Sequence, residues 1–537
     1  MNKIRLKNML AIVLAAATFS SLAACSKNDE DYGINMDIDL NNKIDLNILM
    51  PNSGYTVEEM NADGNAAVVE EVTGYHVNYS QLPSTNASSS LNTQMVAREQ
   101  YNAIKLTSAQ FSDLVAQDVL FPLDDALDKF GADLKSAISE ESWDVVRVNG
   151  KIYGIPERAS SDNIEYPMVF RQDILNELNL SVPATKDELY NVLKTIKTKT
   201  NMIPLTFDMY TPLVYSVSAA FGIYSNWQEY EVDGKKEIRY YMDAPQYGEY
   251  VDFMTKLYSE GLIDSSVSTN ASADCVLKFS SGKAAAISTS LWSVSAIVSG
   301  LESNKIISST QAAATQENTL AYLRALENKN GEEKVYRKSG YTYITAIPFY
   351  MAENAGYAID WMNSKVIDTA EKHNFRDIVI GQENYHWTYN PSTGYAPLSD
   401  HFAEKDTASY YLTGTNESVY TQYWLARVKK QKELYRAWSE MMQDADEVGV
   451  YNVVDFAPPI ADYTSTRGNI ELYAQDQFYV MMVTDKGTGN LATYLKNSKT
   501  TAEAKQPKRL TNGIITNKPE DVVDGYEQCN EKTIKEV

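Results

Sequence analysis

Ile44-Asp45-Leu46-Asn47-Ile48-Leu49-Met50 sets Ile44, Leu46, Ile48 and Met50 on one face, with Asp45, Asn47 and Leu49 on the other. A period of two over this length predicts a β-strand with one buried face. Pro51-Asn52-Ser53-Gly54 follows as a loop. Beyond it the pattern predicts a helix over 65–73, a strand over 76–82, a helix over 88–101, a short strand over 103–106 and a helical region opening at 111–115. Strands alternating with helices at this spacing predict βαβ units, a mainly parallel sheet and an α/β fold. Further along, Leu189, Val192, Leu193 and Ile196 share one face of an amphipathic helix over 186–198, with Thr185 as its N-cap. Helices are also predicted over 247–260, closed by Gly261, over 354–364 and over 417–445, and a strand-like run over 511–516.

The chain has 537 residues, 44% of them hydrophobic and 11% aromatic, enough for two or three ordinary domains. Its formal charge of −23 repels phosphate backbones, so nucleic acid is excluded as a natural partner. His76, His373, His386 and His401 fit no HExxH pattern, and there is no GxSxG, P-loop or GxGxxG. Asp37-Ile38-Asp39-Leu40-Asn41 begins like a calcium loop, but Asn42 stands where the turn glycine belongs and Ile48 where the bidentate Glu belongs. No catalytic residue, metal site or cofactor is predicted. Cys275 and Cys529 share no metal spacing; one long-range disulfide and two separate thiols both fit the sequence.

Lys3, Arg5 and Lys7 precede an uncharged stretch from Asn8 to Ala24, the pattern of an export signal and shorter than the about 20 residues of a spanning helix. Leu22-Ala23-Ala24-Cys25 at its end resembles the lipobox of bacterial lipoproteins. That resemblance implies removal of a signal peptide over 1–24, lipid on Cys25 and a place on the outer face of the cell membrane. The polar, Asp- and Asn-rich segment over 25–42 is then expected to be a flexible tether.

Gly150-Lys151-Ile152-Tyr153-Gly154-Ile155-Pro156-Glu157 is the first stretch with a distinctive order. Next come Phe170-Arg171-Gln172-Asp173-Ile174-Leu175 and Val182-Pro183-Ala184-Thr185-Lys186-Asp187-Glu188-Leu189, with Asn179 between them where a glycine is usual. Phe279-Ser280-Ser281-Gly282-Lys283-Ala284-Ala285-Ala286-Ile287 leads to Trp292, and Asp360-Trp361 to Asn384-Tyr385-His386-Trp387. Taken in this order, the four stretches resemble bacterial family 1 extracellular solute-binding proteins, the substrate receptors of sugar ABC importers, in their long lipoprotein subgroup.

The resemblance implies a two-lobed periplasmic-binding-protein-like fold (type II), a monomer that closes on a solute like a hinge and hands it to permease subunits. It places the first lobe at 43–155 plus about 305–398 and the second at 156–304 plus about 399–537, with crossings near 150–157, within 299–341 and near 395–400. It implies an oligosaccharide ligand. A receptor for a non-sugar solute such as a peptide, and a lipid-anchored glycan-degrading enzyme, are the competing readings.

A sugar needs flat aromatic platforms and polar groups at their rim, and the chain carries 37 Tyr and 7 Trp against 14 Phe. Trp292 matches the family's cleft tryptophan; it either stacks on ligand or anchors the second lobe. Tyr210 falls where a rim aromatic of the second lobe is expected. Glu157 and Arg158 lie at the mouth of the cleft, to bond hydroxyls or to form a salt-bridged hinge. Gln110 sits at a strand end, where open α/β sheets bind ligands. Tyr341, Trp387 and Tyr389 complete the candidates. Trp361, Trp424 and Trp438 read as packing on helices.

Overall fold

The computed structural model describes residues 33–158, 163–232, 234–308, 319–398, 401–456 and single positions between 471 and 483. The leader with Cys25, the run over 511–516 and Cys529 lie outside the described residues.

The opening strand is β1 (Leu46–Met50), where Leu46, Ile48, Leu49 and Met50 are all buried. Leu49, expected to face water, is covered because strands inside α/β sheets are packed on both faces. Helix α1 (Gly64–Thr73) starts from Asp63, whose carboxylate accepts the Asn65 N–H, and stops at Gly74 with φ 71°. Strand β2 (Val77–Gln81) returns parallel to β1, with Tyr79 opposite Ile48. Helix α2 (Ala87–Val96) ends five residues earlier than the sequence pattern suggests. Leu91 and Met95 are its buried anchors, and beyond Val96 the chain has no apolar residue on that face and turns at Arg98, φ 53°. Strand β3 (Ala103–Leu106) and helix α3 (Ser108–Ala116) follow as expected.

A tight hairpin turns on Asn149 (φ 51°) and Gly150 (φ 80°), the pairing that suits a two-residue turn with positive φ at both positions. Strand β4 (Ile155–Arg158) then joins the sheet edge. Gly154 just before it has no substitute: a Cβ there would lie 2.4 Å from Ile344 Cγ2 and 3.1 Å from Phe111 Cε2.

The chain enters a second unit at β5 (Met168–Arg171). Asn179 adopts φ 53°, doing the work of the glycine it replaces. Helix α4 (Lys186–Lys199) is capped by Thr185 and buries Leu189, Val192, Leu193 and Ile196, the face read from the sequence. Helix α5 (Tyr247–Ser259) ends before Gly261, and α6 (Ser272–Ser280) buries Cys275, whose Sγ lies 3.6 Å from Thr206 Oγ1. Strand β6 (Ala286–Ser288) pairs antiparallel with β5, as does β7 (Leu320–Leu323). Short parallel bridges extend this sheet from Ala284 and Ile287 to residues 203–206, and from Leu205 to Ile263.

The return to the first unit runs through β8 (Val335–Arg337) into β9 (Tyr341–Ala346), which lies antiparallel between β3 and β4. Helix α7 (Ala355–Val366), a β10–β11 hairpin (Trp387–Asn390 and Gly394–Pro397) and α8 (Tyr420–Val428) complete that unit. Helix α9 (Lys432–Met441) and β12 (Gly449–Tyr451), parallel to β8, end in the second.

The two sheets therefore share one plan. In the first, β2, β1, β3 and β4 run one way and β9, between β3 and β4, runs against them; in the second, 262–263, 203–206, β6 and β7 run one way and β5, between β6 and β7, runs against them. The sheets are mainly parallel in strand direction, as expected from the sequence, with one reversed strand in each. Strand β5 enters the second unit from the first and β9 enters the first from the second, and these are the two that run against the βαβ strands.

Further expectations change. Residues 402–426, assigned to the second lobe, pack with Leu46, Ile48 and Ile155 in the first core through Phe402, Tyr411, Leu412, Tyr420 and Tyr423. Residues 320–326, assigned to the first, pack in the second through Ala321, Leu323 and Leu326. The third crossing accordingly lies at 429–431, between α8 and α9, and not near 395–400. That break also divides the single helix expected over 417–445. From Gly33 the expected tether is held: Ile34 packs on the first core, and Lys129 Nζ lies 3.7 Å from Asp37.

Candidate functional site

Three segments pass between the cores: 163–167, 335–340 and 429–431. They are tied together by backbone and side-chain bonds. The Lys338 N–H donates to the Asn163 carbonyl at 2.9 Å, and the Trp438 Nε1–H donates to Asn163 Oδ1 at 3.1 Å. A cavity of about 310 Å³ opens where they meet, within the range of roughly 300–1,000 Å³ typical of ligand pockets. Asn163, Glu165, Trp292, Lys338, Gly340, Thr342, Trp424, Arg427, Val428 and Leu434 line it.

Each lobe contributes one tryptophan. Trp292 lies in a one-turn helix, Leu291–Ser293, capped by Ser290, and the Leu291 N–H donates to the Glu165 carbonyl at 2.6 Å. That bond fixes the turn against the first crossing. Trp424 comes from α8, on the first core. The two rings meet edge-to-face with centroids 5.1 Å apart, and Trp438 stands 6.1 Å beyond Trp424. Trp292 remains 36% exposed. Such rings offer the apolar faces on which sugar CH groups stack, with an indole N–H at the edge.

The polar lining is charged. Glu165 is buried and receives Lys338 Nζ at 3.2 Å. Burial alone would lower the Lys338 ammonium; the Glu165 carboxylate reverses this and leaves it raised. Arg427 lines the same cavity, and burial pushes its guanidinium down. Below the floor, Thr342 Oγ1 donates to the Glu157 carbonyl at 3.1 Å, and Lys105 Nζ lies 2.6 Å from Glu157 Oε2. Burial raises the Glu157 carboxyl and lowers the Lys105 ammonium, while their contact opposes both shifts.

Of the residues singled out from the sequence, Trp292 lines this cavity. Tyr210, 67% exposed, lines another of about 500 Å³ in the second lobe with Tyr166, Tyr215, Tyr240 and Tyr241. Gln110 is buried and spent on a capping box: its Oε1 accepts the Thr107 N–H at 3.0 Å. Glu157 belongs to the buried Lys105 pair under the floor. Arg158 stands over the Tyr341 ring at 5.3 Å and within 3.9 Å of Glu141 and Glu417, the hinge-like ion cluster of the two readings. Tyr341 bonds Ser142 Oγ at 3.2 Å, whereas its neighbours Gly340 and Thr342 line the cavity. Trp387 is core: it is 2% exposed, and its Nε1–H donates to the Gly381 carbonyl at 2.6 Å. Tyr389 is exposed on the hairpin against Tyr395. Trp361 is buried as read, but Trp424, read as packing, lines the cavity.

A bilobal α/β fold with a tryptophan-lined cavity at its crossings defines a solute-binding protein. Residues 66–348 match the bacterial extracellular solute-binding protein family, and the chain belongs to it. Lipoprotein LipO of Bacillus subtilis is 25% identical over 533 residues, covering 92% of this chain and 96% of LipO. The fructooligosaccharide ABC transporter substrate-binding protein FusA of Streptococcus pneumoniae is 26% identical over 279 residues, 47% of this chain and 52% of FusA. The solved structure of FusA with kestose superposes with a TM-score of 0.61 at 16% identity, covering 91% of this chain and all of that one. That likeness establishes the two-lobed fold.

Proposed function

We propose that this protein is an extracytoplasmic receptor, held to the membrane by lipid on Cys25, that captures an oligosaccharide between its lobes and delivers it to an ABC importer. The observation that carries this reading is the Trp292–Trp424 pair, one ring from each lobe, facing the cavity at the three crossings. Movement about those crossings changes the distance between the rings, so a bound ring system reads out directly as closure. The names of FusA and of the polygalacturonan/rhamnogalacturonan-binding protein YtcQ, 24% identical over 216 residues, support an oligosaccharide as the ligand. The family's members are binding proteins, and the receptor leaves its ligand chemically intact.

A thermal-shift screen of the full chain against fructo-, xylo-, manno- and galacturono-oligosaccharides tests the reading, because ligand held by the native state alone raises the melting temperature. A saturable rise with at least one glycan, and no consumption of that glycan on prolonged incubation, is expected. A rise with peptides and none with glycans, or hydrolysis of the glycan, would overturn it.

A further inference from the structure

The cavity is lined by a guanidinium whose buried nitrogens are not hydrogen-bonded, with the Asp406 carboxylate acting on it only at a distance. Arg427 Nε and Nη2 are buried and have no hydrogen-bond partner, and among the described residues no carboxylate forms an ion pair with Arg427. The nearby carboxylates are engaged elsewhere. Glu165 is held by Lys338 at 3.2 Å, and Asp406 by Lys430 at 2.8 Å. A second buried cation, Lys405, is disfavoured by the Arg427 charge, and its Nζ donates to the Asp377 carbonyl at 3.2 Å. A sealed guanidinium edge with no acceptor carries an uncompensated desolvation cost. In a chain of formal charge −23, a buried guanidinium with unused donors at the ligand cavity is out of keeping with its surroundings.

We propose that Arg427 is the anchor for a carboxylate on the ligand, so that the receptor takes an acidic glycan built from sugar acids. This deepens the oligosaccharide reading and rests on it. A planar carboxylate matches the guanidinium fork in a two-bond arrangement that a neutral hydroxyl cannot reproduce. The sugar ring lies against Trp292 and Trp424, while the carboxylate at its edge turns the Arg427 fork from its sealed position into the cavity.

Calorimetric titration of the full chain with trigalacturonate, trimannuronate and 3′-sialyllactose, each beside its methyl ester, tests this and identifies the sugar acid. One acid is expected to bind at least tenfold tighter than its ester, and the gap to narrow as salt is raised. Arg427→Met should collapse that ratio toward one, and Arg427→Lys should restore part of it. The ligand-free Arg427→Met protein should melt no lower than wild type, since it removes an unpartnered charge; a clear fall would assign Arg427 a structural role instead. Equal binding of acid and ester, or neutral oligosaccharides alone binding, would overturn the acidic-ligand inference and leave the receptor reading standing. Failure of every glycan would overturn both.

Discussion

Trp292 and Trp424 carry the recognition surface, and they differ in how openly the sequence displays them. Trp292 follows an apolar run and a Ser/Thr turn, a place where a large aromatic has little to pack against locally. Trp424 sits in a helical stripe with Tyr420 and Tyr423, both core residues, and nothing in its spacing marks it as different. Its exposure to the cavity follows from where α8 stops, at Val428, which brings the last turn to the crossing. Truncating either ring to Ala should weaken ligand binding about 10- to 100-fold, roughly 1.4–2.8 kcal/mol, measured by calorimetry. Gln110 shows the opposite case. Thr107-Ser108-Ala109-Gln110 is a capping-box pattern in plain sight, and that use consumes the side chain. Gln110→Ala should therefore cost stability, about 0.5–2 kcal/mol by urea unfolding, without changing affinity; a loss of affinity at unchanged stability would return it to the site.

Among the elements, the strands and helices with strong periodicity are those the sequence reveals: β1, β3 and α4 lie where Ile48, Ile104 and Leu193 mark them. The crossings carry no such mark. Lys429-Lys430-Gln431 carries no Pro or Gly, yet the helix breaks there because Tyr423 and Ala426 belong to one core and Ala437 and Met441 to the other. Tertiary packing decides that break, not local propensity. The segment ahead of α8 contains a buried charge with a measurable consequence. Burial pushes the Lys405 ammonium down from 10.5 to about 8, and the Arg427 charge adds to it. Between pH 8 and 10.5 the unfolded chain then binds more protons than the native chain, so stability rises with pH; below 8 both forms are charged and this dependence vanishes. Urea unfolding should show wild type gaining on the order of 2 kcal/mol relative to Lys405→Met between pH 7 and 9.5. A constant difference across that range would contradict the assignment.

At the level of the whole molecule, two sheets of the same plan are joined by three crossings. Rotation about those crossings is the movement by which the proposed receptor would close. The parallel strands over 203–206 and 262–263 are too short for a period-two signal, so the internal likeness of the lobes could not be read from the residues. For the same reason the lobe boundaries shift: β7 stays with the second core and 402–426 with the first. The formal charge of −23 favours solubility. The account stands or falls on whether solute binds between the lobes at the two tryptophans. Calorimetric titration of the glycan selected in the thermal-shift screen, into wild type and Trp424→Ala side by side, tests this most directly. The account predicts one saturable site per chain in wild type and at least tenfold weaker binding in the variant. Unchanged affinity in Trp424→Ala would place the site elsewhere and contradict it.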